Sequence, residues 1–146
     1  MDATAATRGG LFVDGPNVFR EEFDVDLDDV REAAAAEGRL AVSRLYLDEG
    51  APPELMRAAE ARGFEVTVTS GDVDVKLAID ATEFVVDDAV DTLVIVSRDT
   101  DFKPVVEVAA RRGLRTVALA PGDHGRSDAL ANAAHAALAL DTESNP

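Results

Sequence analysis

The sequence predicts an α/β fold, in which a five-stranded parallel sheet lies between two helical layers as a three-layer α/β/α sandwich. Segments with strand-like patterns alternate along the chain with segments whose apolar residues recur at helical spacing, and this alternation is typical of βαβ units. Residues 93–96 are apolar without a break, as expected of a strand that is buried on both faces of a parallel sheet. We expect the connections between these strands to be right-handed.

The first half of the chain predicts three strands that are separated by two helices. Gly38 and Gly63 follow the two helices, and a glycine at this position commonly ends a helix. Prolines open the second helix, where their missing N–H costs no hydrogen bond. In order, these elements are strand 10–13, helix 26–37, strand 40–47, helix 52–62 and strand 64–69.

The second half continues the alternation after a Ser-Gly-Asp turn. Gly113 ends one helix, and a PGDHGR loop separates the last strand from an alanine-rich helix. We expect His124 in that loop to be solvated and His135 on that helix to be structural. In order, these elements are helix 75–88, strand 91–96, helix 101–112, strand 114–120, loop 121–126 and helix 127–140.

The length of 146 residues suits one domain, which we expect to cover residues 10–140 between flexible tails at residues 1–9 and 141–146. The first ten residues lack the apolar core of a signal peptide, and no apolar run is long enough to span a membrane. The sequence contains no cysteine, which excludes disulfides and thiolate metal sites. These observations favour a cytoplasmic protein without a membrane partner.

The chain is strongly acidic, with 29 aspartate and glutamate residues, 14 lysine and arginine residues and a formal net charge of −15. Such self-repulsion destabilises a compact state unless counterions screen it, and halophilic proteins use this composition. At 1 M salt the Debye length is only about 3 Å, which removes most of the repulsion. The composition therefore favours adaptation to high salt over a basic partner.

Carboxylates follow three of the predicted strands at the edge where parallel sheets bind ligands, beyond the carboxyl ends of the strands. Asp14 follows the first strand in FVDGPNVF, Asp72 and Asp74 follow the third in SGDVDVKLAID, and Asp99 and Asp101 follow the fourth in SRDTDF. The first and fourth strands are the expected central pair of the sheet. We therefore expect three or four carboxylates to converge in one cleft.

Each acid also has a local explanation. Asp14 precedes a Gly-Pro turn, where aspartate is a common residue. Asp72 or Asp74 is able to cap the helix that follows it, because aspartate accepts hydrogen bonds from free N–H groups. Asp99 or Thr100 is the corresponding cap of the next helix. One cap on each helix leaves the second acid of each pair unexplained.

Asp80 lies six residues after Asp74, which is about 120° around the helix. It is expected either on a solvated face, with Lys76 as its partner, or at the border of the cleft. Converging carboxylates repel one another strongly unless a cation neutralises them. Hard oxygen ligands suit Mg²⁺ or Mn²⁺ rather than zinc, and such a cation clamps a phosphoryl group and activates water.

Three segments, FVDGPNVF, VDVKLAIDA and VSRDTDFKPVV, resemble the NYN domain family of PIN-like nucleases, in its LabA-like branch. The resemblance spans nearly the whole chain and includes a late S-x-x-L segment at Ser127 and Leu130. It implies a parallel sheet of order 3-2-1-4-5 and metal-dependent cleavage of RNA. By position, it implies catalytic metal ligands at Asp14, Asp74, Asp99 and Asp101, with Asp80 as an outer metal ligand and with Mg²⁺ or Mn²⁺ as the cofactor. Asn17 and Ser97 are implied to orient the acids or the substrate.

The sequence departs from the family pattern without losing a core acid. Gly71-Asp72 stands where lysine is common, Phe19 where tyrosine is common, His135 where an acid is common, and Arg98 where a small residue is common. Basic residues near the same edge are expected to guide a phosphate backbone into the acidic cleft. With Asn17 and Ser97, these substrate-binding candidates are Lys76, Arg98, Lys103 and Arg126.

The primary hypothesis is a single-domain ribonuclease that depends on Mg²⁺ or Mn²⁺ and comes from a halophilic archaeon. The alternative is a regulatory module that retains the acidic metal site and binds RNA or a protein without turnover, which the scarcity of basic residues favours. A third, weaker hypothesis is a small-molecule phosphohydrolase, although no D-x-D-x-T segment follows the first strand. RNA is the expected partner, and a homodimer is a further expectation because one short domain offers little surface for gripping a strand.

Overall fold

The structure is a computed structural model, and it describes residues 7–19, 26–121 and 134–139. Its strands are β1 (Arg8–Asp14), β2 (Arg39–Asp48), β3 (Glu65–Thr69), β4 (Thr92–Val96), β5 (Arg115–Ala120) and β6 (Ala136–Ala139). Its helices are α1 (Gly15–Val18), α2 (Leu27–Ala35), α3 (Pro53–Ala61), α4 (Val73–Val86) and α5 (Lys103–Arg111), and a 3₁₀ turn (Thr100–Phe102) precedes α5. The predicted alternation of strands and helices is confirmed, apart from the last element.

The strands form one parallel sheet of order β3-β2-β1-β4-β5-β6. The predicted order of the first five strands is confirmed, and β1 and β4 lie side by side. Successive side chains of β1 point to opposite faces of the sheet. Phe12 packs in one apolar core with residues of α4 and α5, whereas Leu11 and Val13 pack in the other with residues of α2 and α3. Helices therefore cover both faces, as the predicted three-layer sandwich requires.

The prediction of a helix at the end of the domain was wrong for residues 136–139, which form β6. Alanine favours helix, but this preference is weak beside tertiary context. Here the free side of β5 offers unpaired backbone groups, and β6 pairs with it in parallel along its whole length. His135 precedes β6 and accepts a hydrogen bond at Nδ1 from the Thr116 N–H at 3.0 Å. Residues 127–133 of the predicted helix lie outside the described residues.

Smaller differences concern the ends of elements. The helix α4 begins at Val73, two residues before the predicted start, and the predicted helix 101–112 is divided into the 3₁₀ turn and α5. The short helix α1 was not predicted, because its GPNV sequence is typical of a turn. Within the described ranges, none of the helices has the length and apolarity needed to cross a bilayer.

Gly15 allows the chain to pass closely over β2 directly after β1. A Cβ atom built on Gly15 would lie 2.5 Å from the carbonyl oxygen of Tyr46 and would also overlap the side chain of Leu47. A backbone atom at that distance has to move, so only glycine fits without a shift. Gly71, before α4, has no atom within 4 Å of a Cβ built on it.

We expect Gly15→Ala to lower the free energy of unfolding by roughly 1–3 kcal/mol, the usual cost of forcing atoms into a packed region. Gly71→Ala is the matched control and should change it by less than about 0.5 kcal/mol, because the added methyl group meets open space. Urea denaturation followed by circular dichroism measures both values. Equal midpoints for the two variants would contradict the close approach at Gly15.

Candidate functional site

The carboxyl ends of β1 and β4 bring together residues that are far apart in the chain. Val13 of β1 pairs with Val96 of β4, so the next residues, Asp14 and Ser97, are neighbours at the edge of the sheet. Asp74 approaches the same edge from the first turn of α4. β4 is buried throughout and β1 is buried from Gly9 onwards, which fixes where the polar side chains begin at this edge.

Three carboxylates meet at this edge. Asp74, Asp99 and Asp101 each offer one carboxylate oxygen, and these three oxygens all lie within 4.8 Å of one another. Asp74 and Asp99 are half-buried, and Asp101 is exposed. Three hard, negatively charged oxygen donors are suited to Mg²⁺ or Mn²⁺. We refer to these three residues as the acid cluster.

A chain of hydrogen bonds connects Asp14 to the acid cluster. The Ser97 hydroxyl donates to Asp14 Oδ2 at 3.1 Å and accepts from the Asp99 N–H at 3.0 Å. Asp99 in turn caps the 3₁₀ turn, because its Oδ1 accepts from the Asp101 N–H at 2.9 Å. The expectation that Asp99 or Thr100 is a cap is therefore confirmed for Asp99, and this cap leaves the second oxygen of Asp99 for other contacts.

Asn17 ties the same loop to α1, since its Oδ1 accepts a hydrogen bond from the Arg98 N–H at 3.0 Å. Helix α4 is different. Asp72 occupies its N-cap position, but the Asp72 side chain makes no capping hydrogen bond. The Asp74 carboxylate accepts a local bond, from the Val75 N–H at 3.0 Å. Capping therefore explains neither acid of the SGDVD segment.

Burial and crowding change the ionisation of two of these acids. The pKa of Asp14 is raised to about 6, chiefly by burial and also by the charges of Asp99 and Asp74, against the hydrogen bonds from Ser97 and the Asn17 backbone. The charge of Asp99 raises the pKa of Asp101, with smaller contributions from burial and Asp74. Both shifts disfavour negative charge, so a cation at this edge would relieve a repulsion that the fold itself creates.

Asp14, Asp74 and Asp99 open onto a cleft of about 320 Å³, whereas Asp101 is not among its lining residues. Its lining residues are Asp14, Pro16, Asn17, Asp48, Gly71, Asp72, Val73, Asp74 and Asp99. Asp48 was missed in the sequence, although it directly follows the apolar segment of β2 in the same way that Asp14 follows that of β1. A rule applied to the end of every strand would have found it.

Asp80 has different surroundings from the acid cluster. The expectation of a solvated face was wrong, because Asp80 is 5% exposed. Its Oδ2 accepts a hydrogen bond from the Tyr46 hydroxyl at 2.9 Å and lies 3.2 Å from an Arg44 nitrogen. Its Oδ1 lies 3.2 Å from Lys76 Nζ, which confirms Lys76 as the predicted partner. Burial raises the pKa of Tyr46, and its bond to Asp80 also raises it. Asp80 is thus neutralised by protein groups and lies apart from the acid cluster.

The predicted substrate-binding cations are placed less favourably. Lys76 pairs with Asp80, and Lys103 lies 4.0 Å from Glu107 on α5. Arg98 contributes its backbone to the loop around Asn17. Among the described residues, none of these three lines the cleft. Four residues named in the sequence analysis lie outside the described ranges. They are the substrate-binding candidate Arg126, the loop residue His124, and Ser127 and Leu130 of the S-x-x-L segment.

Comparisons with known proteins agree with this geometry. The NYN domain profile matches residues 8–141. The chain is 39% identical over 136 residues to the uncharacterized protein MJ0482 of Methanocaldococcus jannaschii, a match that covers 93% of this chain and 56% of that protein. The chain therefore spans little more than half the length of this curated relative.

The crystal structure of VPA0982 from Vibrio parahaemolyticus, a protein of unknown function, superimposes with a TM-score of 0.78 at 22% identity. The superposition covers 97% of this chain and 96% of that one, so the two share a fold. The profile match extends over nearly the whole chain and includes every member of the acid cluster. This chain belongs to the NYN domain family.

Proposed function

We propose that this chain is a ribonuclease that depends on Mg²⁺ or Mn²⁺ and hydrolyses phosphodiester bonds at the acid cluster. The observation that carries the proposal is the convergence of three carboxylate oxygens, from Asp74, Asp99 and Asp101, within 4.8 Å of one another. Like charges at this distance repel one another, so a divalent cation held between them would stabilise the group. Membership of the NYN domain family supports the nuclease chemistry and RNA as the substrate class.

Asp74, Asp99 and Asp101 are the residues that would hold the divalent ion. A bound ion of this kind activates water and neutralises the charge of a phosphoryl group. The protein supplies the placement: Asp99 is fixed by its bond to the Asp101 N–H, and Asp74 is fixed by the first turn of α4. Rigid carboxylates lose little freedom on binding a cation, which favours affinity.

Asp14 is the residue that we assign to proton transfer. Its carboxyl group is buried beside the acid cluster, and burial raises its pKa to about 6. A group with a pKa close to the working pH is both deprotonated and basic enough to accept a proton from water. The Ser97 hydroxyl holds Asp14 Oδ2 at 3.1 Å and thereby orients the carboxylate towards the cleft.

A second candidate function is a binding module that recognises RNA or a protein without turnover. It is favoured by the charge of the cleft, where Asp48 and Asp72 add two acids to the rim. Lys76 and Lys103, two of the expected phosphate contacts, are paired with acids of their own helices. This candidate predicts metal-dependent binding of RNA with no cleavage.

We also propose that the protein works at high salt, in the cytoplasm of a halophilic archaeon, and belongs to the LabA-like branch. The formal net charge of −15 on 146 residues supports the first point. High salt screens the repulsion between this surface and a polyanion, and counterion effects govern the affinity of proteins for nucleic acids. Assays of RNA cleavage therefore need arms at low and at multimolar KCl.

We expect Asp99→Asn to reduce cleavage of a single-stranded RNA by more than roughly 100-fold in Mg²⁺ or Mn²⁺, since even residues that only support metal ligands cost about 10–100-fold. Glu60→Gln is the control, because it removes an exposed carboxylate from α3, on the opposite face of the sheet from α4. Gel analysis of labelled RNA measures the rates, with EDTA as a blank. Cleavage by Asp99→Asn at the rate of the control would refute the proposal, whereas binding without cleavage in the unmodified protein would favour the binding module.

We expect Asp14→Asn to stabilise the metal-free protein at pH 7.5 and not at pH 3.5. The folded-state pKa of about 6 lies above the ordinary value of 3.8, so folding favours the protonated form of Asp14. The stability that this form provides is fully present below pH 3.8 and is lost as the pH rises through about 6. At 1.36 kcal/mol per pKa unit, the substitution should raise the free energy of unfolding at pH 7.5 by about 3 kcal/mol. Urea denaturation in EDTA measures it, with Glu60→Gln as a control for general relief of charge. A gain that does not change with pH would contradict the burial of a charged Asp14.

A further inference from the structure

The outward face of α4 carries an apolar stripe. Its large members are Val75, Ile79 and Val86, whose exposed fractions are 52%, 53% and 47%. Thr82 lies between them at helical spacing. We call these four residues the α4 stripe. Isolated exposed apolar residues are ordinary, but a continuous row of them along one helix marks an interaction surface.

The opposite face of α4 is already used by the fold. Leu77, Ala81 and Val85 are almost fully buried in the core beneath the helix. Helix α4 is therefore apolar on two opposite faces, whereas a surface helix has one apolar and one polar face. A second apolar face of this kind is typical of a helix that is covered on both sides.

The apolar surface continues from α4 onto α5. A groove of about 420 Å³ runs between the two helices, and its lining includes Ala78, Ile79, Pro104, Val105 and Val108. The polar atom of the stripe does not oppose burial, since the Thr82 hydroxyl donates to the Ala78 carbonyl oxygen at 2.7 Å. A hydroxyl that is satisfied within its own helix presents its methyl group outwards at little cost.

The spacing of the α4 stripe identifies its occupant. Steps of four, three and four residues separate Val75, Ile79, Thr82 and Val86, which is the spacing of the seam in a two-helix coiled coil. The series reads the same in both directions. An antiparallel copy of α4 would therefore place Val75 against Val86 of the partner subunit and Ile79 against Thr82 of the partner subunit. We propose that the α4 stripe is the interface of a homodimer with two-fold symmetry.

Charges along one side of the stripe agree with this arrangement. Lys76 and Glu83 lie beside the stripe seven residues apart, and Glu83 also lines the groove between α4 and α5. In the antiparallel pair, Lys76 comes close to Glu83 of the partner subunit, and the two-fold axis repeats the contact. Two-fold interfaces are the commonest in soluble homo-oligomers, and they require a self-complementary patch of this kind.

The acidity of the chain sets the conditions for this dimer. Two molecules with a formal net charge of −15 repel each other at low salt. Because the seam itself is apolar, screening of the long-range repulsion leaves its attraction intact. The dimer should therefore be tighter at high salt. This inference does not rest on the proposed nuclease activity, because the α4 stripe contains none of the proposed metal ligands, although Asp74 precedes Val75 and Asp101 lines the adjoining groove.

Sedimentation equilibrium of the full chain in EDTA, without RNA, tests the interface. We expect a mass twice that of one chain at 3 M KCl, and a higher dissociation constant at 0.1 M KCl. Ile79→Asp should halve the mass at 3 M KCl. Val68→Asp is the matched control, since it adds the same charge at an exposed valine on β3 and should remain dimeric. A mass of one chain at every salt concentration would overturn the proposal. A finding that this face binds only a different protein would also overturn it.

Cysteine crosslinking tests the antiparallel seam, and the chain has no cysteine of its own. In the proposed dimer, Val75 lies opposite Val86 of the partner subunit, whereas the two copies of Val75 lie on the order of 15 Å apart along the helices. A disulfide needs Cα atoms within about 7 Å. An oxidised mixture of the Val75→Cys and Val86→Cys proteins should therefore form covalent dimers, and each protein alone should not. Dimers formed equally by Val75→Cys alone would overturn the antiparallel arrangement.

Discussion

Parallel pairing of β1 with β4 places Asp14 beside Ser97, and the remaining geometry of the site follows from that contact. β4 is buried throughout and β1 is buried from Gly9 onwards, so the pairing of Val13 with Val96 is held by the two cores and not by the polar residues. Ser97 then joins the two strand ends through its bonds to Asp14 and to the Asp99 N–H. The acids are positioned by apolar packing that their own repulsion cannot easily disturb.

Helix α4 shows how the fold separates a structural acid from a candidate ligand. Asp80 is buried deeper than Asp74, and it is satisfied by Arg44, Lys76 and Tyr46. In the part of the chain that is described, no lysine or arginine forms such a pair with Asp74 or its neighbours in the acid cluster. A buried charge requires compensation, and among the described residues basic side chains supply it at Asp80 and not at the acid cluster. The uncompensated group is the one that a cation from solution is able to stabilise.

The sequence predicted the features that depend on local patterns and could not predict those that depend on distant partners. Strand order, helical layers and the acids at the strand ends follow from periodicity, motif resemblance and the chemistry of parallel sheets. The environment of Asp80 depends on Arg44 and Tyr46, which lie more than thirty residues earlier in the chain. Residues 136–139 have helical propensity, and they form a strand because β5 has a free edge.

Salt connects the site with the surface. At 1 M salt the Debye length is about 3 Å, so solvent-exposed charges that lie farther apart than this hardly repel one another. Partly buried charges are screened much less by the same salt. The oxygens of the acid cluster lie within 4.8 Å of one another, and two of its three residues are half-buried. High salt therefore removes the barrier to an approaching polyanion or second copy and leaves much of the local attraction for a divalent cation. A strongly acidic surface is thereby compatible with the acidic site on which the proposed ribonuclease activity depends.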